Sequence, residues 1–106
     1  MENLKELLTC RILSIPGVTK QYLATDNGGL TSFSFNGKDF AHYHTGNELD
    51  LRLTKKVIAS EKLVHPRDST VHPNRSQNSP WIELRFNSKA EVAVVHHLVA
   101  LSIKQL

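Results

Sequence analysis

The stretch TSFSFNGKDFAHYHTGNELDLRL, residues 31–53, decides the fold, because it has the pattern of consecutive antiparallel strands joined by tight turns. Asn36-Gly37 separates two apolar runs, and a type I′ turn needs positive φ at both central positions, which these residue types adopt readily. Gly46-Asn47 is a second, weaker turn signal. The stretch therefore predicts a three-stranded meander with a two-residue loop at each turn.

The predicted register follows from those two loops. It pairs Phe33 with Phe40 in the first hairpin and His44 with Leu49 in the second. Alternation along the strands then gathers one face that is mostly apolar: Phe33, Phe35, Phe40, His42, His44, Leu49, Leu51 and Leu53. The opposite face is predicted to be solvated: Ser32, Ser34, Asp39, Ala41, Tyr43, Glu48, Asp50 and Arg52. A one-residue change in the second loop would alter this register.

Helices and further strands flank the meander. Before the meander we predict a helix from about Glu2 to Ser14, a strand from about Val18 to Ala24 and a turn over 26–29. After it we predict a short helix capped by Thr54, a loop over 65–80, a strand over Trp81–Phe86 and a helix from Ser88 to about Lys104. This order is typical of an α+β fold, in which an antiparallel sheet of about four to five strands carries an N-terminal, a short middle and a C-terminal helix.

Composition indicates a single soluble domain over residues 1–106. The chain is 40% hydrophobic and 22% charged, and its most apolar stretch, Val92–Leu101, is interrupted by His96 and His97 and is too short for a membrane span. The single Cys10 permits no internal disulfide and indicates a cytoplasmic location. A net charge of +3 makes nucleic acid an unlikely partner. The nearly all-apolar last helix is compatible with a homodimer.

Histidine stands out, with six residues in the chain. His42 and His44 are two residues apart in one predicted strand, so their side chains lie on the same face, about 6–7 Å apart. This spacing suits two metal ligands. Three interpretations stay open: structural histidines at the end of the sheet, a pocket without metal, and a metal site. A metal would need further ligands, which His65 and His72 of the repeated Val-His-Pro could supply.

The loop over 65–80 also has two interpretations. It contains three prolines, which stiffen it and help to fix the direction of the neighbouring side chains. It either folds over the histidine face and closes a pocket with Trp81 at its edge, or it is an exposed loop that happens to hold two histidines.

Residues 35–102 resemble the luciferase-like domain family, which comprises small bacterial proteins and the C-terminal part of fungal luciferases. The pieces that carry the resemblance are F-A-H-Y-H at 40–44, L-D-L-R-L at 49–53, the His-Pro of the loop, W-I-E-L-R-F at 81–86 and V-x-x-L-V-x-x-S ending at Ser102. A weaker similarity, through G-V-T, G-K-x-F-A and L-x-L, is to the double-wing DNA-binding proteins of the MmcQ/YjbR type.

The first resemblance implies a pocket for a small, planar organic ligand, with no metal or organic cofactor. It implies that His42 or His44 is a catalytic base that removes a proton from an acidic enol before oxidation. The ligand-binding residues that it implies are His65, His72, Trp81 and Tyr43. Which of the two loop histidines matches the family pattern stays open, as does catalysis itself. The alternative function is a DNA-binding or protein-interaction module of double-wing type without catalysis.

Overall fold

The computed structural model describes residues 3–25 and 28–106. Its elements are α1 (Leu4–Leu13), β1 (Val18–Thr25), β2 (Gly28–Phe35), β3 (Lys38–Tyr43), β4 (Glu48–Arg52), α2 (Lys55–Ser60), β5 (Trp81–Arg85) and α3 (Lys89–Lys104). The predicted α+β fold is confirmed. Of the turn predicted over 26–29, residues 26–27 lie outside the described residues, whereas 28–29 begin β2.

The five strands form one antiparallel meander in the order β1-β2-β3-β4-β5. At the first turn Asn36 and Gly37 have φ of 51° and 81°, as the predicted type I′ turn requires. α1 and α3 contact one another and share one core with a single face of the sheet. The buried members of this core are Leu8, Ile12, Phe33, Phe40, Ala41, Tyr43, Leu49, Leu51, Leu53, Ile82, Phe86, Val92, Val95, Leu98 and Val99.

Side-chain caps begin α2 and α3, as predicted. Thr54 Oγ1 accepts a hydrogen bond from the Val57 N–H, and Ser88 Oγ accepts one from the Glu91 N–H. These caps fix the start of the helix that follows β4, which carries Asp50, and of the helix that follows β5, which carries Glu83. α3 is 16 residues long, and within 3–25 and 28–106 no helix is long and apolar enough to cross a membrane.

The register of β3 differs from the prediction because the β2–β3 pair contains a bulge. Ser34 pairs with Asp39, but Phe33 pairs with Ala41, so that Phe40 is an extra residue in β3. The predicted pairing of Phe33 with Phe40 is therefore wrong.

The second turn is longer than predicted, which also changes the register. The His44 N–H donates to the Glu48 carbonyl at 3.0 Å, so the loop has three residues, 45–47. Tyr43 rather than His44 consequently pairs with Leu49.

The bulge and the longer turn exchange the two faces of β3. His42 and His44 lie on the face opposite the core, together with Asp50. The prediction that the histidines share the apolar face is wrong, because a slip of one residue moves every side chain of a strand to the other face. The members of the predicted solvated set that are buried are Ser32, Ser34, Ala41, Tyr43 and Asp50.

Gly17 joins α1 to β1 and allows a stability prediction with a matched control. Its φ is +90°, and a Cβ there would come within 2.8 Å of Phe35 Cε2, whereas Gly37 has φ +81° and open space around it. Both Gly→Ala changes cost about 1–2 kcal/mol through the left-handed backbone, but only Gly17→Ala must also displace an aromatic ring. We expect the larger loss for Gly17→Ala in urea denaturation. Equal losses would contradict the close approach to Phe35.

Candidate functional site

The sheet face opposite α1 and α3 carries a row of polar side chains. His42 in β3 pairs with Asp50 in β4, and Asp50 pairs with Glu83 in β5. Cross-strand partners lie on the same face, so the meander itself brings an imidazole beside two carboxylates. Asp50 and Glu83 are each only 1% exposed. Carboxylates are rarely buried to this extent unless other groups compensate for the lost water.

The loop between α2 and β5 covers this row and is attached to it by hydrogen bonds. Ser69 Oγ donates to Glu83 Oε1 at 3.1 Å and accepts from the His72 N–H at 3.0 Å. Arg75 donates from its two Nη atoms to the two oxygens of Asp50, at 2.5 and 2.8 Å. Of the two arrangements considered for the loop, the structure therefore has the one folded over the histidine face.

Three imidazoles converge on one carboxylate oxygen. The Nε2 atoms of His42, His72 and His44 lie 3.3, 3.4 and 3.7 Å from Asp50 Oδ2. The centroid of the His44 ring lies 5.2 Å from that of the His42 ring and 5.1 Å from that of the His72 ring. We call these four residues the histidine–aspartate cluster. One potential ligand atom from each lies within 4.8 Å of those of the other three.

The other side of the His44 ring faces a second group of carboxylates. His44 Nδ1 lies 2.9 Å from Glu83 Oε1, and the side chain is 4% exposed. Glu48 belongs to the same group, with a carboxylate oxygen within 4.8 Å of the His44 and Glu83 atoms. Burial, the hydrogen bond with Glu83 and its charge raise the pKa of Glu48. His44 thus lies between two acidic regions, with Asp50 near Nε2 and Glu83 near Nδ1.

Arg75 determines the charge state of Asp50. Burial by itself would raise the pKa of Asp50, but the hydrogen bonds and charge of Arg75, with the neighbouring histidines, outweigh burial and hold that pKa well below its usual range. Asp50 is therefore an ionised carboxylate at neutral pH.

The three clustered histidines have different environments. Burial lowers the pKa of His42 by more than the Asp50 charge raises it, and burial with the nearby Arg75 lowers the pKa of His72. For His44, burial is outweighed by the neighbouring carboxylates, and the pKa is raised. The cluster thus combines one carboxylate with imidazoles that differ in how readily they take a proton.

A pocket of about 320 Å³ lies beside the cluster, between α2 and the loop. Trp81, at the start of β5, lines it, and its rings lie 5.5 Å from the His42 ring. Arg75 also lines the pocket while it binds Asp50, so Trp81 and Arg75 connect the pocket to the cluster. The apolar part of the lining includes Ile58, Ala59, Leu63, Val64 and Ile82.

The structure assigns the two loop histidines to different places. His72 is in the cluster, whereas His65 lines the pocket, with its Nε2 2.9 Å from the His72 carbonyl oxygen. The loop therefore contributes one histidine to each part of the candidate site.

The structure does not bring Tyr43 to the histidines. It lies on the core face, where its hydroxyl is 2.8 Å from Thr9 Oγ1 in α1 and its ring packs edge-on against Phe33. This position follows from alternation along β3, which puts Tyr43 on the face of the sheet opposite to the one that carries His42 and His44.

Sequence reasoning missed Glu83 and Arg75, and it separated Asp50 from the histidines because it assigned His42 and His44 to the apolar face. Asp50 and Glu83 each interrupt an alternating apolar pattern, in Leu-Asp-Leu at 49–51 and Ile-Glu-Leu at 82–84. A single acid between two core residues points to the other face of the sheet, so this pattern could have indicated the pair. Arg75 has no comparable signal, because it lies in an irregular loop.

This arrangement defines an α+β domain with a five-stranded meander, α1 and α3 on one face and a loop-covered histidine–carboxylate site on the other. The family model for the Luciferase domain matches residues 37–102, which is more than half of the chain, and the chain therefore belongs to this family. The match runs from the first turn into α3 and includes the whole cluster, so the resemblance drawn from the sequence is confirmed. Comparisons with curated proteins and with solved structures give no match.

Proposed function

We propose that this protein binds a small, planar, acidic organic molecule in the pocket beside the histidine–aspartate cluster. The observation that supports the proposal is the pocket of about 320 Å³ whose lining shares Trp81 and Arg75 with the surroundings of the cluster. Ligand pockets are mostly apolar, hold a few polar groups and measure about 300–1,000 Å³. This pocket is at the small end of that range, which favours a ligand of one or two rings.

The lining suits a ligand that is flat and carries negative charge. An indole beside an apolar wall favours stacking of a planar ring, and Trp81 lies next to Ile82 in that wall. Lys55 and Arg75 add positive charge to the same lining. Positive charge favours the anionic form of a bound acid, so Lys55 would stabilise an enolate more than the neutral enol. The charge of Arg75 is largely compensated by Asp50, but its planar guanidinium carries further N–H donors.

Membership of the Luciferase domain family supports oxidation of an acidic enol by molecular oxygen as the reaction class, in which the enol first gives its proton to a base and the enolate then transfers electrons to the oxygen. In this proposal Trp81 stacks on the ring, and Lys55 and Arg75 hold the oxygen that becomes negative. His42 contacts this wall through Trp81, with ring centroids 5.5 Å apart. The predicted catalytic roles of His42 and His44 stay predictions.

Trp81 is the only tryptophan of the chain, so its fluorescence reports directly on the pocket. We expect a hydroxypyrone with a free enol to change this fluorescence saturably, and its methyl ether, which has no acidic proton, to bind at least about tenfold more weakly. Equal affinity for the enol and the ether would contradict recognition of an acidic group.

A pair of matched variants tests the location of binding. Ala59 and Ala93 are both exposed helical alanines, but only Ala59 lines the pocket. Ala59→Leu therefore adds bulk at the pocket, whereas Ala93→Leu makes the same change away from it. Only Ala59→Leu should weaken binding, by about tenfold or more. If both variants bind the hydroxypyrone as the wild type does, the pocket is not the binding site.

The alternative of a double-wing DNA-binding module stays a prediction. It requires an affinity for duplex DNA that falls steeply as salt rises, because each neutralised phosphate releases counterions. Fluorescence anisotropy of a labelled duplex at low and moderate salt measures this, and a lack of binding at low salt would contradict the alternative.

A further inference from the structure

We propose that His42, His44, His72 and Asp50 form a binding site for a divalent first-row transition-metal ion, with Zn²⁺ as the first candidate. The ligands come from β3, from β4 and from the loop over the sheet, which the fold brings together although they span residues 42–72. The inference goes beyond the proposed function, because the metal site does not depend on an organic ligand.

The distances in the cluster are those that a metal polyhedron needs. With Zn–N and Zn–O bonds of about 2.0–2.1 Å, neighbouring ligand atoms of a tetrahedral site lie about 3.3 Å apart. Asp50 Oδ2 lies 3.3, 3.4 and 3.7 Å from the Nε2 atoms of His42, His72 and His44. Three of the six edges of the tetrahedron are therefore already close to their required length.

Hydrogen bonding alone does not explain this convergence. The Nε2 atoms of His44 and His72 are buried and have no hydrogen-bond partner among the residues that the structure describes. Asp50 Oδ2 cannot satisfy all three rings, because it already accepts a hydrogen bond from Arg75 at 2.8 Å. A metal ion would accept a lone pair from every one of these nitrogen atoms, which removes the unsatisfied polar atoms together.

The groups behind the ligands are also those that a metal site requires. A histidine that binds a metal through one nitrogen usually has a carboxylate or carbonyl near the other, which fixes the tautomer. Glu83 Oε1 lies 2.9 Å from His44 Nδ1, which makes no hydrogen bond within the described part of the chain but is within reach of that oxygen, and Ser69 donates to the same oxygen. Arg75 orients Asp50 by donating to both of its oxygens, and Oδ2 keeps a second lone pair for the metal. Glu83 and Arg75 are thus positioning residues.

The type of ligand selects the type of metal. Three imidazoles and one carboxylate suit Zn²⁺, Fe²⁺ or Co²⁺. Mg²⁺ and Ca²⁺ prefer oxygen ligands alone, which this cluster does not offer.

Metal titration of the tag-free, chelator-treated protein tests the proposal. Calorimetry with Zn²⁺ should give one equivalent, and Co²⁺ should give the visible ligand-field bands of a four-coordinate nitrogen–oxygen site. Glu83→Gln should weaken Zn²⁺ binding by about 10- to 100-fold, as is usual for a residue behind a ligand, and should keep the Co²⁺ bands.

Two histidine variants separate the cluster from adventitious binding. His72→Gln removes a ligand from the partly exposed loop and should leave the fold intact, and His97→Gln makes the same change at an exposed position of α3. For His72→Gln, Zn²⁺ affinity should fall by more than about 100-fold, because loss of a ligand should cost more than loss of a residue behind a ligand. For His97→Gln, Zn²⁺ affinity should not change. Equal affinities of these two variants, or no binding by the wild type, would overturn the proposal.

Discussion

Replacing Arg75 by methionine is expected to lower the free energy of unfolding by about 3–5 kcal/mol, because the change leaves a carboxylate buried without its cation. Asp50 is 1% exposed, and Arg75, which binds both of its oxygens, has a side chain that is only 10% exposed. Water therefore cannot replace the guanidinium. Urea denaturation in the presence of a chelator measures the loss without a contribution from bound metal.

The Arg85–Asp68 pair supplies the matched control. Arg85 Nη2 lies 2.8 Å from Asp68 Oδ1, but the Asp68 side chain is 75% exposed. Solvent screens an ion pair this exposed, and another acidic neighbour of Arg85, Glu48, lies 4.0 Å away, so Arg85→Met should have a small effect. The double change Arg75→Met with Asp50→Leu should recover much of the stability lost in Arg75→Met, because no buried charge then lacks a partner. A loss in Arg75→Met no larger than that in Arg85→Met would contradict the buried pair.

Ala41→Lys is expected to abolish folding or to lower the free energy of unfolding by more than about 4 kcal/mol, since it introduces an unpaired ammonium into the core. Ala41 is 1% exposed and shares its face with Phe33 and Leu51. The same change at the exposed Ala93 of α3 should have an effect within about 0.5 kcal/mol.

This comparison also decides between the two registers of β3. In the register predicted from the sequence, Ala41 faces solvent and would tolerate lysine. In the observed register it faces the core. Circular dichroism and urea denaturation of both variants provide the measurement, and an Ala41→Lys protein as stable as the Ala93→Lys protein would rule out the bulge.

Features that depend on neighbouring residues could be predicted from the sequence. The Asn36-Gly37 turn follows from the positive φ that both residues adopt, and the starts of α2 and α3 follow from the side-chain oxygens of Thr54 and Ser88. Ile82 and Phe86 are in the core, which agrees with the apolar alternation at positions 82, 84 and 86 of the chain. In each case the physical cause lies within a few residues along the chain, so one sequence contains the necessary information.

The faces of β3 could not be predicted in the same way. The even positions of β3 include Phe40, and the odd positions include Ala41 and Tyr43, so both faces of the strand contain apolar or aromatic residues. Two registers one residue apart therefore fit the pattern almost equally well. The bulge at Phe40 selects one of them, because it lets Phe40 stay buried while Ala41 and Tyr43 also enter the core. This choice depends on packing against α1 and α3, which are distant in the chain.

The sequence by itself determined the element order, the first turn, the helix caps and the placement of His42 and His44 on one face of one strand, because each of these follows from local chemistry or from the spacing of two residues. Only the tertiary structure decided which partners those histidines have. Asp50, Glu83, His72 and Arg75 come together through strand pairing and through a loop folded across the sheet. The energy that holds them there comes from burial and charge compensation between residues far apart in the chain, which no local pattern records.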